Sequence, residues 1–314
     1  INGQVYSDVA QPLALGGITH GVTNLELNAA YATIANGGTF IEPTLYTKVV
    51  DHDGNVILDN TQPTSRQVIK ESTAFLLTDA MVDVVTTGTG TAVNFGGMSI
   101  AGKTGTTSDY NDVWFAGYTP YYTCTTWAGY DNNAKLASGN GERNLAKTLW
   151  RAVMSQIHEN LENKAFEVPG DIVTATVCAQ SGKLPIDGLC TDLKTEYFAQ
   201  GTVPTATCDV HYQGFVCEYS GLKATDQCPF KVAGTLELTP SNDATLSGNV
   251  TQAANECPHN AEFFADSAAA AAVIEQQQQE INARNLLNNY DAQMATYQAA
   301  LQNAQTALAT AQQQ

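Results

Sequence analysis

The chain has 314 residues, of which 31 are acidic and 14 are basic, and its formal net charge is −17. This acidic balance argues against nucleic acid and anionic membranes as partners. Hydrophobic residues make up 43% of the chain, enough for a packed core, but no apolar run is long enough to span a membrane. Because Ile1 is not an initiator methionine, we expect a fragment or a processed product.

The first half of the sequence predicts a mixed α/β unit. Caps and apolar residues at helical spacing predict three helices: from the capping box Thr23-x-x-Glu26 to Gly37-Gly38, from a cap at Ser72 to about Gly88, and over 143–160 with Leu145, Leu149, Val153 and Ile157 as its apolar residues. Runs rich in β-branched and aromatic residues predict strands over 40–50, 55–58, 98–104, 112–118 and 122–130. The first two flank a turn at 51–54, and short connections make the last three antiparallel neighbours.

Composition changes twice along the rest of the chain. After Pro169-Gly170 the sequence becomes rich in Thr, Gly, Pro and Cys, and from 261 it becomes rich in Ala and Gln. We therefore predict three segments: 1–168, 169–260 and 261–314. A heptad seam starts at Leu287, but Gln276 and Glu280 interrupt it upstream, which favours a solvated or weakly associating helix over a firm coiled coil, with disorder as the remaining alternative.

Six of the seven cysteines lie in the middle segment: Cys178, Cys190, Cys208, Cys217, Cys228 and Cys257. An even, clustered set in a loop-rich region predicts disulfides and an oxidising, extracytoplasmic setting. We expect local pairing, Cys178 with Cys190 and Cys217 with Cys228. The alternative is a zinc site built from Cys208-x-x-His211 and Cys257-x-His259, which lack a paired Cys-x-x-Cys. Cys124 stands apart in an apolar run and is interpreted as an inert thiol.

The segment 97–104 satisfies the pattern G-x-x-x-x-G-K-T of a phosphate-binding loop. Such a loop requires a hydrophobic strand before it and a long helix after it. Here Gly96-Gly97 stand at the beginning of the pattern in place of a hydrophobic strand, and Gly105 to Asp109 follow it, so nucleotide binding is rejected. Lys103-Thr104-Gly105 instead fits a strand beside a serine acyltransferase cleft. There the lysine supplies positive charge, the hydroxyls bind a carboxylate, and the glycine admits the substrate backbone.

The flanking sequence strengthens this interpretation. GGMSIAG precedes the triplet at 96–102, and SDYNDVWFAGYTP follows it at 108–120, with WAGYD at 127–131. Together with PLALGG at 12–17 and AAYATIANGG at 29–38, these motifs closely resemble the end of the transpeptidase domain of class A penicillin-binding proteins, which cross-link peptidoglycan. The resemblance is dense over 1–135, and 177–211 looks like the extension of some Gram-positive members.

The resemblance implies a fold, a site and partners. The fold would be an antiparallel sheet flanked by helices, as in serine D,D-transpeptidases and β-lactamases, followed by a small cysteine-rich β module and a helical tail. Lys103 and the N–H of Thr106 would act in catalysis, the latter in the oxyanion hole. The implied substrate-binding residues, which would hold a D-alanyl-D-alanine stem peptide or a β-lactam, are Lys103, Thr104, Gly105, Thr106 and Thr107. No metal or organic cofactor is implied.

Two further motifs of the family are absent from the positions where they are needed. Ser-x-x-Lys and Ser-x-Asn should precede Lys-Thr-Gly, whereas Ser220-x-x-Lys223 and the Ser-x-Asn matches at 138–140 and 247–249 follow it. These short patterns are interpreted as chance matches. We therefore expect a fragment that is inactive alone and whose parent carries a glycosyltransferase domain and a membrane anchor upstream and acts outside the cytoplasmic membrane.

Two other functions remain open at this point. A D,D-carboxypeptidase or β-lactamase relative would pass the acyl group to water instead of an amine. A non-catalytic cell-wall binding module would use 171–314 as its active part. The long extension after the catalytic segment argues against the first.

Overall fold

The computed structural model describes residues 7, 9–19, 21–139, 141–238 and 255–313, and it divides into two compact units. The first comprises Ile1–Thr174 with Tyr197–Val203, and the second comprises Ala175–Glu196 with Pro204–Gln314. The three segments predicted from composition stay a proposal for the domain organisation.

The architecture is a mixture of helices and small antiparallel sheets, as predicted. The helices in order are α1 Asn24–Ala35, α2 Glu71–Thr86, α3 Leu145–Ile157 and α4 Ser267–Gln313. The strands are β1 Thr39–Ile41, β2 Lys48–Val50, β3 Val56–Asp59, β4 Ser65–Gln67, β5 Ala101–Thr106, β6 Asp112–Tyr118, β7 Thr123–Gly129, β8 Ile172–Cys178, β9 Leu193–Ala199, β10 His211–Cys217 and β11 Lys231–Glu237.

The capping box at the start of α1 is confirmed. The Thr23 hydroxyl accepts a hydrogen bond from the Glu26 N–H at 3.2 Å, and the Glu26 carboxylate accepts one from the Thr23 N–H at 2.7 Å. After the helix, Gly38 adopts φ 85°, and a Cβ there would lie 2.2 Å from the Ile69 carbonyl oxygen. Only glycine fits this turn.

The predicted hairpin and the predicted second helix are present with altered bounds. Strand β2 pairs with β3 across the turn at 51–54, but the strand predicted to begin at residue 40 is interrupted between Ile41 and Lys48. The cap predicted at Ser72 is wrong, because the N-cap of α2 is Lys70 and Ser72 is buried in the first turn.

The three strands predicted before and after the Lys-Thr-Gly triplet form an antiparallel sheet in the order β5-β6-β7. Neighbouring residues of β7 show that this sheet is a middle layer. The Thr125 hydroxyl donates to the carbonyl oxygen of Asn24 in α1 at 3.2 Å, and the Thr126 hydroxyl donates to that of Ala146 in α3 at 2.9 Å. Because successive side chains of a strand point to opposite faces, α1 and α3 cover opposite faces of the sheet.

Each face of the sheet carries its own core. On the α3 face, the rings of Phe115 and Trp150 meet edge to face at 5.1 Å, and Met154 packs beside them. On the α1 face, the Tyr118 hydroxyl lies 2.6 Å from that of Thr78 in α2. Burial raises the pKa of Tyr118 to about 12 despite this hydrogen bond.

The predicted third helix is present, but the apolar residues noted at helical spacing are not the ones that face the sheet. Leu145, Leu149, Val153 and Ile157 are each 42–48% exposed, whereas Ala146, Trp150 and Met154 are buried against the sheet. Two apolar stripes therefore run along α3 one residue apart, and the stripe that contains the largest ring faces the core.

We predict that Met154→Ala destabilises the first unit by about 2–5 kcal/mol, because a fully buried side chain would leave a cavity. Leu149→Ala, a matched change on the exposed stripe of the same helix, should lower the free energy of unfolding by less than about 1 kcal/mol. Urea denaturation followed by tryptophan fluorescence measures both. Equal losses for the two variants would contradict the orientation of α3.

The second unit contains the antiparallel pair β10–β11, residues 175–178 of β8, residues 193–196 of β9 and the long helix α4. Strand β8 pairs with β9, and β10 pairs with β11 in continuous register from His211↔Glu237 to Cys217↔Lys231. The beginning of α4 packs against the unit through Ala270, Gln277 and Ile281, which are buried. Farther along, the heptad residues are exposed: Leu287, Tyr290, Met294, Tyr297 and Leu301. Among the described residues, no helix combines the length and apolar character that crossing a membrane requires.

Candidate functional site

The Lys-Thr-Gly triplet lies on the outer strand of the central sheet. Strand β5 pairs with β6 on one side only, in the register Lys103↔Ala116 and Gly105↔Trp114. In the part of the chain that the structure describes, no strand pairs with its other edge. An edge strand presents backbone N–H and C=O groups that an extended peptide can pair with.

The pleat of β5 sends neighbouring side chains to different faces. Lys103 lies opposite Ala116 and is exposed, and its Nζ donates to the Thr104 carbonyl oxygen at 3.2 Å. Thr104 lies opposite Phe115 on the α3 face, and its hydroxyl is 2.9 Å from that of Thr89. The ammonium group and the hydroxyl therefore flank the open edge from two sides.

Two glycines of β5 keep the strand close to β6. A Cβ at Gly102 would lie 2.6 Å from the Phe115 ring, and a Cβ at Gly105 would lie 3.1 Å from the Cβ of Trp114. The absence of a side chain at these positions thus serves packing within the sheet. Sequence reasoning assigned Gly105 only to the approach of a substrate.

Thr106 and Thr107 are both exposed but differ in their contacts. The Thr107 hydroxyl accepts hydrogen bonds from the N–H groups of Asn111 and Asp112, at 2.9 and 3.0 Å, and so closes the β5–β6 turn. Among the described residues, no side-chain hydrogen bond engages the Thr106 hydroxyl. Of the two, Thr106 is the side chain available to a ligand.

We predict that Thr107→Val destabilises the first unit by about 1–2 kcal/mol, because two backbone donors of the turn would lose their acceptor. Thr106→Val is the matched control and should change the free energy of unfolding by less than about 0.5 kcal/mol. Chemical denaturation of both variants gives the comparison. If the Thr107 variant were as stable as the control, the Thr107 hydroxyl would not stabilise the turn.

The predicted disulfides are wrong for this structure, since all seven cysteines are free. Six of them gather with two histidines in the second unit. We call Cys178, Cys190, Cys208 and His211 the first thiol cluster, and Cys217, Cys228, Cys257 and His259 the second thiol cluster. Within each cluster the four candidate ligand atoms all lie within 4.8 Å of one another. The two Cys/His pairs weighed as a zinc alternative belong to separate clusters.

The histidine Nδ1 atom is the centre of the contacts in both clusters. In the first, Nδ1 of His211 is 3.5, 3.4 and 3.3 Å from the sulfurs of Cys178, Cys190 and Cys208. In the second, Nδ1 of His259 is 3.6 Å from the sulfurs of Cys217 and Cys228.

The sequence contains a repeated motif that corresponds to these two clusters. Val177-Cys178 and Val216-Cys217 each begin the pattern Val-Cys-x-x-Ser-Gly, and the next cysteine follows at residue 190 or 228. In both copies the glycine has positive φ and its N–H donates to the carbonyl oxygen of the first cysteine at 2.8 Å. Such an internal repeat indicates two copies of one structural unit.

The isolated Cys124 lies apart from both thiol clusters, and its inertness stays a prediction. It is half-buried beside the core on the α3 face, and burial raises the pKa of its thiol. Such a thiol is poorly ionised and unreactive.

The discarded Ser220-x-x-Lys223 match belongs to the repeated turn. The Ser220 hydroxyl accepts from the Leu222 N–H at 3.3 Å, while the Lys223 ammonium lies 5.4 Å from the centroid of the Tyr212 ring. Serine and lysine thus have separate structural partners. The two discarded Ser-x-Asn matches fall wholly or partly outside the described residues. The match at 247–249 lies outside them entirely, and the match at 138–140 lacks Asn140.

Comparison with known families and proteins matches two parts of the chain. Residues 2–155 match the family described as "Penicillin binding protein transpeptidase domain", and residues 168–213 match "Penicillin-binding protein 1A, C-terminal domain". The second match contains the whole first thiol cluster and ends before the second.

Curated relatives agree with these families. Penicillin-binding protein 1A of Clostridium botulinum strain Langeland is 36% identical over 223 residues, which cover 69% of this chain and 27% of that protein. Penicillin-binding protein 1A/1B of Bacillus subtilis is 34% identical over 224 residues, covering 65% of this chain and 24% of the relative. The chain thus spans about a quarter of the length of the curated relatives it matches.

A solved structure has the same fold over a shared region. The crystal structure of penicillin-binding protein 1A from Haemophilus influenzae aligns with a TM-score of 0.53 at 25% identity, over 60% of this chain and 33% of that one. The two family matches, the curated relatives and this fold agree, and the chain belongs to the penicillin-binding protein family, of which it carries part of a transpeptidase domain and a C-terminal domain of the 1A type.

Proposed function

We propose that residues 1–168 contribute one wall of the D,D-transpeptidase site of a penicillin-binding protein that cross-links peptidoglycan. The observation that carries this proposal is the position of Lys103-Thr104-Gly105-Thr106 on the open edge of β5, within the segment that matches the transpeptidase family. An exposed lysine, two threonine hydroxyls and unpaired backbone groups at one strand edge suit an extended peptide that ends in a carboxylate.

The alternating faces of β5 give each residue a role. A stem peptide that pairs with the edge of β5 has Lys103 on one side and the hydroxyls of Thr104 and Thr106 on the other. The lysine stabilises negative charge, and the hydroxyls donate to the terminal carboxylate of D-alanyl-D-alanine or of a β-lactam. The Thr106 N–H serves as one donor of the oxyanion hole. Thr107 supports the strand through the turn that it closes.

The reaction is serine acyl transfer. A serine hydroxyl supplied by the remaining part of the domain attacks the penultimate D-Ala carbonyl, and its proton passes to the leaving amine of the terminal D-Ala. The amine of a neighbouring stem peptide then attacks the acyl-enzyme ester, and the serine hydroxyl is regenerated. Residues of this chain hold the donor peptide and stabilise its oxyanion, and no metal or organic cofactor takes part in these steps.

The proposal includes the setting of the parent protein. A protein of the relatives' length has room for a glycosyltransferase domain and a membrane anchor, and its peptidoglycan substrate lies outside the cytoplasmic membrane. The net charge of −17 is unsuited to nucleic acid. The proposed partners are stem peptides and β-lactams, which suit the groups at the edge of β5.

We predict that the 314-residue chain forms no covalent adduct with a fluorescent penicillin, because no serine followed three residues later by lysine precedes Lys103. Denaturing gel electrophoresis after incubation measures the adduct, with an intact penicillin-binding protein as the positive control. A label that survives denaturation and maps to Ser220 would show that the discarded motif is the nucleophile.

In a parent protein with all three motifs, we predict that Lys103→Ala slows acylation by a β-lactam about ten- to a hundredfold. Loss of one charge-assisted contact of about 1.5–3 kcal/mol gives this range. Lys135→Ala removes an exposed lysine after β7 and is the matched control, for which the rate should be unchanged. Stopped-flow acylation with circular dichroism separates catalysis from folding, and an unchanged rate in a folded Lys103 variant would remove this residue from the site.

A further inference from the structure

We infer that the second unit binds two structural zinc ions, one in the first thiol cluster (Cys178, Cys190, Cys208 and His211) and one in the second (Cys217, Cys228, Cys257 and His259). Each set offers three thiolates and one imidazole nitrogen. Three cysteines and one histidine are among the ligand sets of four-coordinate structural zinc, and soft sulfur ligands favour this metal over oxygen-preferring ions.

The distances fit a tetrahedron around one ion. Zn–S bonds of about 2.3 Å and a Zn–N bond of about 2.0–2.1 Å at tetrahedral angles put sulfur and nitrogen about 3.5–3.6 Å apart. The five measured separations between Nδ1 and sulfur in the two clusters are 3.3–3.6 Å. These five nitrogen–sulfur pairs therefore already have the separations that two tetrahedral zinc sites require.

Disulfide formation does not account for the same grouping. A disulfide joins sulfurs in pairs at about 2.0 Å, whereas each cluster contains three sulfurs and a histidine. Pairing within a cluster would leave one thiol over, and it would give the imidazole nitrogen no function. Binding of one ion uses all four groups.

The backbone around the sulfurs supports this assignment. One cysteine sulfur of the first cluster, that of Cys190, accepts a hydrogen bond from the Ile186 N–H at 3.3 Å. In the second cluster, the Cys257 sulfur accepts one from the Thr225 N–H at 3.4 Å. Such donors stabilise thiolates, which are the form of cysteine that binds metal.

A buried partner fixes the histidine of the second cluster. Nε2 of His259 is 2.9 Å from Oε1 of Gln277 in α4, and both side chains are buried. An amide oxygen can only accept, so Nε2 carries the proton and the lone pair of Nδ1 faces the sulfurs. The second zinc site thereby holds α4 to the rest of the unit.

The sites are closed, which makes them structural. All six cysteines are at most 8% exposed, and His259 is fully buried. A catalytic zinc requires an open position for water or substrate, and four protein ligands leave none. In the described part of this unit, the two small hydrophobic cores contain nine buried residues, of which six are the ligand cysteines and the others are Val210, Phe230 and Ile281. Metal binding would supply folding energy that so small a core lacks.

The direct test is the zinc content of the full chain, purified under reducing conditions without chelator. Inductively coupled plasma and native mass spectrometry should both give two zinc ions per chain. Cys190→Ser and Cys228→Ser should each lower the content to one, and Cys124→Ser, a cysteine outside both clusters, should leave it at two. The inference would be overturned by a metal-free chain with seven reactive thiols. It would also be overturned by a chain whose mass has fallen by two hydrogens per disulfide. A single zinc ion per chain would overturn the assignment of two sites.

A cysteine variant could also lose zinc because it unfolds and not because it lacks a ligand. Cobalt substitution of the unaltered chain tests the ligand sets without any substitution. Co²⁺ titrated into zinc-depleted protein should give thiolate-to-cobalt charge-transfer bands and intense tetrahedral d–d bands that saturate at two ions per chain. Weak octahedral bands would contradict the sulfur-rich ligand sets. The outcome is separate from penicillin binding, because this unit contains none of the residues proposed for the transpeptidase site.

Discussion

The alternation of side chains across the β5-β6-β7 sheet determines most of what the first unit can do. One residue step decides whether a side chain meets α1 or α3, as Thr125 and Thr126 show by bonding to different helices. The same alternation separates Phe115 from Tyr118, and so gives the sheet two cores. A shift of one residue in the register would exchange the two faces and disrupt both.

The packing of the sheet also determines which groups of the edge strand β5 are exposed. Glycines in β5 allow the strand to lie close to β6 at the two positions where the side chains of Phe115 and Trp114 approach it. Buried residues at the beginning of the strand, Ala101 and Gly102, anchor it, and Lys103 to Thr106 follow at the exposed end. A rigid sheet thus presents a charged group and hydroxyls along an open edge, the arrangement that preorganised recognition requires.

The second unit is organised on a different principle. It contains two copies of one turn, and each copy contributes to a group of three cysteines and one histidine. These groups are more buried than most apolar side chains of the unit. The start of α4 packs on the second group through Gln277 and Ile281, and Arg284 donates to the carbonyl oxygens of Glu218 and Tyr219. The ligand cluster and the helix therefore form one structural element, in which apolar packing is secondary.

The sequence by itself determined the local elements whose signals depend on neighbouring residues: the capping box of α1, the three antiparallel strands, and the Lys-Thr-Gly motif with the family that it resembles. It did not determine which apolar stripe of α3 faces the sheet, because Leu149 and Trp150 both lie at helical spacing and only packing against Phe115 distinguishes them. Nor did counting cysteines decide their chemistry. Cys257 and His259 lie about 40 residues after Cys217, and only the tertiary structure brings them together, since the identity of a ligand set depends on distances in space that the spacing of residues along a chain does not fix.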